Sequence, residues 1–402
     1  MLTESPPKQV GRGVAIGMYC LVLASYALNA ADRQLFPLLL HDVRQTYGFS
    51  LTKAGLLSTI FTLGLALAGL PTGYLLARIS RKSTLILGIA VFSSATALTV
   101  FAVGFADMLL YLAASGIGEA IQFTAIVAIA TSYFARNRAA AIGSVNLCFG
   151  IGAFCGPILA SLWLGAYQSW RAPMLIFGLI GFVMIAAIVL CVRLWFTETA
   201  AVGEVQAASG GAATLLNFNS IILTVLSVLA GLVLYGFTGL YSTFLRESLH
   251  YTAKQAGLVT GCYGVGALVS IAGGWLGDRF SPRLVLSGAF FAIAILAYSC
   301  FHATGSLLRQ ALLTGAFGAA GSGTLFVNLA GYHVKAVHRS LAGRASGMFV
   351  TGFYSAAAMA GYLMGGIATR TQWATAEIIQ VSLLASVAGC IALTLRPSEM
   401  CL

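Results

Sequence analysis

Apolar residues in this chain neither alternate nor keep to one stripe. They run on: Ser83 to Phe105 contains only apolar, small or hydroxylated side chains. Such a run suits a helix crossing about 30 Å of hydrocarbon, which takes about 20 residues. It does not suit a transmembrane β-barrel, whose strands alternate polar and apolar over about ten residues. Charged or turn-rich breaks between the runs predict twelve spans, at 14–40, 54–77, 83–105, 107–134, 139–166, 173–196, 218–245, 255–277, 284–303, 306–334, 343–368 and 375–395. The first is too long for the apolar region of a signal peptide and reads as a retained helix.

Composition agrees with that pattern. Of 402 residues, 59% are hydrophobic and 8% are charged, against about 25% charged in soluble domains. So few charges cannot cover a water-exposed surface, which excludes the soluble classes. The longest polar interruption, 197–217, reads as a cytoplasmic linker between two bundles at 1–196 and 218–402. The halves repeat one another: Gly55 pairs with Gly257 and Gly64 with Gly266 at an offset of 202, and GYLLAR from Gly73 pairs with GWLGDR from Gly274. The expected fold class is an all-α membrane protein, twelve transmembrane helices in two pseudo-symmetric six-helix bundles. Parallel repeats of this kind place a substrate site near the midplane, between the halves.

The net charge of +11 is mostly topological. The termini and the even-numbered loops hold fourteen of the 22 basic residues, the opposite loops hold seven, and Arg33 alone lies inside a span. That bias puts both termini in the cytoplasm and argues against nucleic acid as a partner. The eight cysteines include no CxxC pair, and no metal-ligand spacing or GxxxxGK[ST] run occurs. No metal, cofactor, ATP hydrolysis or enzymatic centre is expected.

Only Asp32 and Glu119 stand among the acids as lying inside spans. The other nine fall in tails, loops, helix ends or a loop motif. A charge at the bilayer centre costs about 2.5–3.5 kcal/mol on insertion scales, so intramembrane acids are functional candidates. Asn29, Asp32, Arg33 and Phe36 share one helix face, and Glu119 begins a similar stripe with Gln122 and Phe123. Two readings stay open: Arg33 holds substrate, or it bridges Glu119.

The loop after span 2 resembles the GxxxDRxGRR signature of the major facilitator superfamily. Gly274, Asp278, Arg279 and Arg283 match it in the second half. Gly73, Arg78, Arg81 and Lys82 match in the first, with Ala77 in place of the acid. The resemblance implies a gating loop that locks one state through charge contacts between helix ends. Asn-x-x-Asp-Arg in span 1 and GxGEA in span 4 resemble the anion:cation symporter and spinster-like families. That similarity implies proton coupling at Asp32 and Glu119 and a substrate or gating role for Arg33. A second arginine usual in those families is replaced by Leu112, which disfavours a dicarboxylate. Gly152-xxx-Gly156-Pro157 resembles an exporter pattern but also fits plain helix packing.

Asn29, Arg33, Gln122, Tyr235, Thr238, Tyr241, Asn328 and Tyr354 are the candidate substrate-lining residues. The reading is a secondary transporter moving a small organic anion with protons by alternating access. The alternative is proton-driven export of an amphiphilic, lipid-like or drug-like compound. The expected setting is the lipid bilayer of a bacterial inner membrane, the expected partners are substrate and protons, and a monomer is expected.

Overall fold

The computed structural model describes residues 12–134, 137–199, 212–302 and 306–401. The N-terminal tail and most of the 197–217 linker lie outside them. Span 1 is Arg12–Tyr47, span 2 is Leu51–Thr59 with Phe61–Leu76, span 3 is Arg81–Leu98 and span 4 is Phe105–Tyr133. Span 5 is Arg138–Tyr167, span 6 Arg171–Cys191, span 7 Phe218–Glu247 and span 8 Ala253–Ala267 with Ser270–Arg279. Span 9 is Pro282–His302, and span 10 joins Leu307–Gly318, a π-helical turn Ala319–Phe326 and Val327–Lys335. Span 11 is Ala342–Arg370, and span 12 joins Trp373–Glu377, a second π turn Ile378–Leu383 and Leu384–Ala392.

Eleven helices among the described residues are long and apolar enough to cross a membrane. The twelfth, span 11, has 29 residues but is diluted by glycine, serine and threonine. It packs mainly against spans 2 and 7, so much of its surface meets protein. Spans 2, 3, 7, 8 and 10 begin after Ser50, Ser80, Asn217, Thr252 and Ser306, whose side chains accept from the third backbone N–H beyond them. Such caps satisfy donors that the first helical turn leaves free.

The internal repeat has a structural meaning. A Cβ on Gly55 of span 2 would stand 2.0 Å from the carbonyl oxygen of Gly361 in span 11. One on Gly257 of span 8 would stand 2.7 Å from that of Pro157 in span 5. Both pairs join opposite bundles. Gly64 and Gly266 instead meet Ala113 in span 4 and Gly315 in span 10, inside their own bundles. In each half, one glycine seats span 2 or 8 on the other bundle and the second seats it on its own. The run Gly261–Gly266 and the pair Gly152 and Gly156 are close-packing sites of the same kind, Gly152 and Gly156 lying against Ala27 and Ala31 of span 1.

These contacts hold the bundles together on the side opposite the termini. There Arg44 of span 1 pairs with Glu247 of span 7, Arg246 of span 7 pairs with Asp42 of span 1, and His41 lies 3.6 Å from Glu247. Arg44 and Arg246 are themselves repeat partners at the 202 offset. On the side that carries the termini, no ion pair or hydrogen bond joins the bundles among the described residues. Gly69 and Gly73 of span 2, Gly143 of span 5 and Gly343 and Gly347 of span 11 face open space there. The molecule is closed on one face and parted on the other.

Two neutralising changes, Asp42→Asn and Glu247→Gln, remove both ion pairs. Partly exposed pairs are worth about 1 kcal/mol each at most, so each change is expected to shift the population toward opening on that face by up to about fivefold, and the double change by more. Cysteine labelling from that face, or spin-label distances between spans 1 and 7, measures it. Unchanged labelling in the double variant would refute the latch.

Candidate functional site

Asp32 and Arg33 stand on span 1 about one turn before Pro37, and Asn29 one turn earlier. Proline carries no N–H, so the carbonyl four residues earlier, that of Arg33, loses its helical donor. The charged turn therefore sits where the helix is locally weakened. All the polar side chains around it are buried: Asn29, Gln122 and Glu119 are at most 1% exposed, and Asp32 and Arg33 8%.

They form one connected network. Gln122 Nε2 donates to the carbonyl and hydroxyl of Ser25 at 3.0 and 3.1 Å, and Asn29 Nδ2 donates to Gln122 Oε1 at 2.8 Å. Arg33 Nε donates to Asn29 Oδ1 at 3.1 Å and lies 2.9 Å from Glu119 Oε2. The one hydrogen of that nitrogen is better aligned on Asn29 and is shared with the Glu119 carboxyl. The ion pair is thus a close charge contact whose donor is divided between two acceptors. Both readings of Arg33 start from this pair.

Ser115 links the two acids. Its hydroxyl lies 3.2 Å from Asp32 Oδ2 and 3.2 Å from Glu119 Oε1. A hydroxyl has one hydrogen, so it cannot donate to two carboxylates at once. With one proton on either acid, that acid donates to Ser115 and Ser115 donates to the other. Thr96 of span 3 adds contacts to both oxygens of Asp32, at 3.1 and 2.9 Å.

A cavity beside the pair is lined by Phe36, Leu57, Phe61, Leu112 and Met174 as well as Asp32, Arg33 and Glu119. About 10 Å³ of it is open to the centre of a water-sized sphere, close to what one water needs. Organic ligands fill pockets of about 300–1,000 Å³, so admitting one requires the bundles to move. Across the bundle interface, Tyr235 stacks edge-on to Phe61 at 5.9 Å, and Tyr235 and Tyr354 lie near enough to feel the Arg33 charge.

Other candidates stand elsewhere. Thr238 and Tyr241 line a second small cavity with Gln34, Thr260 and Tyr263, and the Tyr241 hydroxyl is 2.6 Å from Gln310 inside the second bundle. Asn328 is spent on Gly273 and Thr324 carbonyls at 2.8 and 2.9 Å, clamping span 10 to span 8. It does not reach Arg33's network. His333, near the end of span 10, is fully buried. Glu377, counted with the helix ends, is fully buried inside span 12. Ser25, Thr96 and Ser115 were not legible as site residues, although Ser115 stands one turn before Glu119.

The gating-loop residues make no contact between bundles. Arg81 donates to the carbonyls of Thr197 and Thr199 at 3.1 and 2.8 Å, and Arg283 to that of Leu395. Each arginine ties down the end of its own bundle's sixth span. Arg78 and Arg279 lie over Tyr74 and Trp275. Gly73 is open, and Gly274 meets only Val327. Asp278, 75% exposed, pairs with Lys335 at 2.7 Å, a surface pair worth about 1 kcal/mol at most.

The family profile described as Major Facilitator Superfamily matches residues 22–361 and 223–400. The chain belongs to the Major Facilitator Superfamily. That family and fold are those of transporters, not of an enzyme class. A probable L-galactonate transporter of Escherichia coli is 29% identical over 163 residues, 40% of this chain and 36% of its own length. A gallate transporter of Pseudomonas putida is 23% identical over 314 residues, 70% of this chain and 69% of its own. The first relatives are thus matched over little more than a third of their length. Among solved structures, a bacterial homologue of the human lysosomal transporter spinster, in an inward-facing and occupied conformation, superposes with TM-score 0.79 at 16% identity, covering 97% of this chain and 99% of its own. At that identity the likeness concerns the superfamily fold.

Removing one partner of a buried pair leaves the other charge uncompensated, at about 3–5 kcal/mol. Arg33→Ala is therefore expected to lower thermal stability in detergent markedly. Adding Glu119→Gln is expected to restore most of it, since the two changes are coupled. Additive losses would mean the two groups do not depend on each other.

Proposed function

We propose that this protein is a secondary transporter that moves a small organic anion together with protons, by alternating access between its two bundles. The observation that carries the reading is that Glu119 Oε2 lies 2.9 Å from Arg33 Nε, a nitrogen that also donates to Asn29, in a buried site. An ionised Glu119 occupies the arginine's charge. A protonated Glu119 releases it, and an entering carboxylate then takes its place through the guanidinium's remaining N–H groups. Proton and anion load together, and the loaded site carries the same net charge as the empty one. Both forms can then reorient across the bilayer, whereas a half-loaded carrier would bury an unpaired charge.

Asp32 serves as the second proton acceptor, passing a proton through Ser115. Tyr235 and Tyr354 face Arg33 from the second bundle. Beyond the ionisable residues and Thr96 and Ser115, the cavity walls are apolar, and Leu112 stands where a second arginine would recognise a second acidic group. The substrate class is therefore a monocarboxylate with a compact apolar or aromatic face. The gallate relative, whose match covers most of both chains, accords with that class. We place both termini, and the open face of the bundles, in the cytoplasm of a bacterial inner membrane, with the chain acting as a monomer. Export of a proton-exchanged amphiphile is the second reading, favoured by the same apolar wall. The exporter-like Gly152 and Gly156 add nothing to it, since both are occupied in packing on span 1.

Proteoliposomes under an imposed pH gradient test the coupling, with gallate, galactonate and a dicarboxylate as labelled substrates. Gallate is expected to accumulate, and galactonate, which has no apolar or aromatic face, to accumulate less. Glu119→Gln should abolish accumulation but leave exchange measurable, and Arg33→Lys should weaken uptake less than Arg33→Ala because it keeps charge but loses the planar fork. Full gradient-driven uptake by Glu119→Gln would overturn the mechanism. Preference for cations would overturn the substrate class.

A further inference from the structure

The mechanism above leaves one buried carboxyl unused. Glu377 lies one turn into span 12 on the face opposite the termini, and its side chain is 0% exposed. Its Oε1 touches the hydroxyl of Ser382. The intervening turn is π-helical, which brings a residue five positions on over the carboxyl. Such turns are frequent at functional sites.

The backbone N–H of Ser382 also donates to the Glu377 carboxyl, but the hydroxyl hydrogen of Ser382 is contested. The same hydroxyl lies 2.9 Å from the carbonyl oxygen of Ala294 in span 9. Two acceptors thus flank a hydroxyl with one hydrogen. Both are satisfied when Ser382 donates to Ala294 and a protonated Glu377 donates to Ser382. This is the arrangement that Ser115 makes between Asp32 and Glu119, repeated in the other bundle around a single acid.

The remaining oxygen points to an entry route. Glu377 Oε2 is buried without a hydrogen-bond partner and lies 3.7 Å from His302 Nδ1, at the end of span 9. The imidazole is 26% exposed, stacks on Tyr298 and has the same Nδ1 3.0 Å from the Tyr298 carbonyl, so one nitrogen stands between that carbonyl and the carboxyl while the rest of the ring reaches the surface. Few other charges compete there. Span 9 adds the buried Cys300 thiol, which is close enough to interact with Glu377 and with Tyr241 of span 7. Arg246 of span 7 is committed to Asp42. Arg370 at the end of span 11 makes no ion pair among the described residues.

We propose that Glu377 is a second proton-carrying carboxyl, separate from the Asp32–Glu119 pair, which exchanges its proton with water on the face opposite the termini through His302. It sits on spans 9 and 12, outside the bundle interface, so its proton is bound without displacing substrate.

Infrared difference spectra of the purified full chain in proteoliposomes test this without any substrate. The wild type is expected to show the C=O stretch of a protonated carboxyl that disappears on alkalinisation. Glu377→Gln should lack it, and Glu119→Gln should keep it. Ser382→Ala, which removes the acceptor but not the carboxyl, should move the band to the frequency of a freer carbonyl. His302→Gln should move the titration midpoint by about one pH unit or slow the exchange. A spectrum unchanged by Glu377→Gln, or a band indifferent to Ser382→Ala, would overturn the assignment. Because the Glu119 band is read in the same spectra, failure of the transport mechanism and failure of this site give different results.

Discussion

A guanidinium inside a bilayer must be paired, and the architecture around Arg33 follows from that requirement. Asn29 takes the hydrogen of its Nε, and Glu119 supplies the opposing charge. Gln122 and Ser25 hold Asn29 in place. Each of these side chains is apolar-incompatible alone, and each is accommodated because the next one satisfies it. The network ties span 1 to span 4 within the first bundle. The second bundle approaches it with the rings of Tyr235 and Tyr354, so opening the interface leaves the network of the first bundle intact while breaking the Thr59 bonds to Ala358 and Gly361.

The bundle interface obeys a different constraint. Helices without a hydrophobic drive between them associate through close contact of small residues. Gly55 on Gly361, and Gly257 on the Pro157 carbonyl, bring backbones into contact on one face. Ion pairs between the ends of spans 1 and 7 reinforce that face. The same spans diverge toward the termini. A contact made of backbone and glycine has no side chain to rearrange, so it can serve as a fulcrum.

Much of this was legible in the sequence because membrane segments leave simple signals. Run length gave the twelve spans and the 202-residue glycine offset gave the repeat, but which glycine of each pair meets the other bundle emerged only from the packing. Scarcity of intramembrane charge singled out Asp32, Arg33 and Glu119. Hydroxyls were not legible: Thr96 and Ser115 look like Thr124 or Thr131, which merely bond their own helix carbonyls. Asn328 and Tyr241 bond within their own bundle, since a polar residue on a central span can face its own bundle as readily as the interface. Glu377 was missed because its position near a span boundary made it look like a headgroup-level acid, and only the π turn and the packing of span 9 bury it.

The three buried carboxyls share a rule that depends on counting hydrogens more than on charge. Ser115 and Ser382 each stand between two acceptors with one hydrogen to give. In water such a deficit costs little, since solvent supplies the missing donor. At membrane depth nothing supplies it except a proton on the acid itself. A serine placed between two acceptors therefore satisfies only one of them with its own hydrogen. It also defines which bond that proton makes. In the first bundle the deficit is shared by two acids beside Arg33, so movement of one proton changes what the arginine can hold. In the second it falls on Glu377 alone, remote from the arginine, where taking up or losing a proton alters only how span 12 is fastened to span 9.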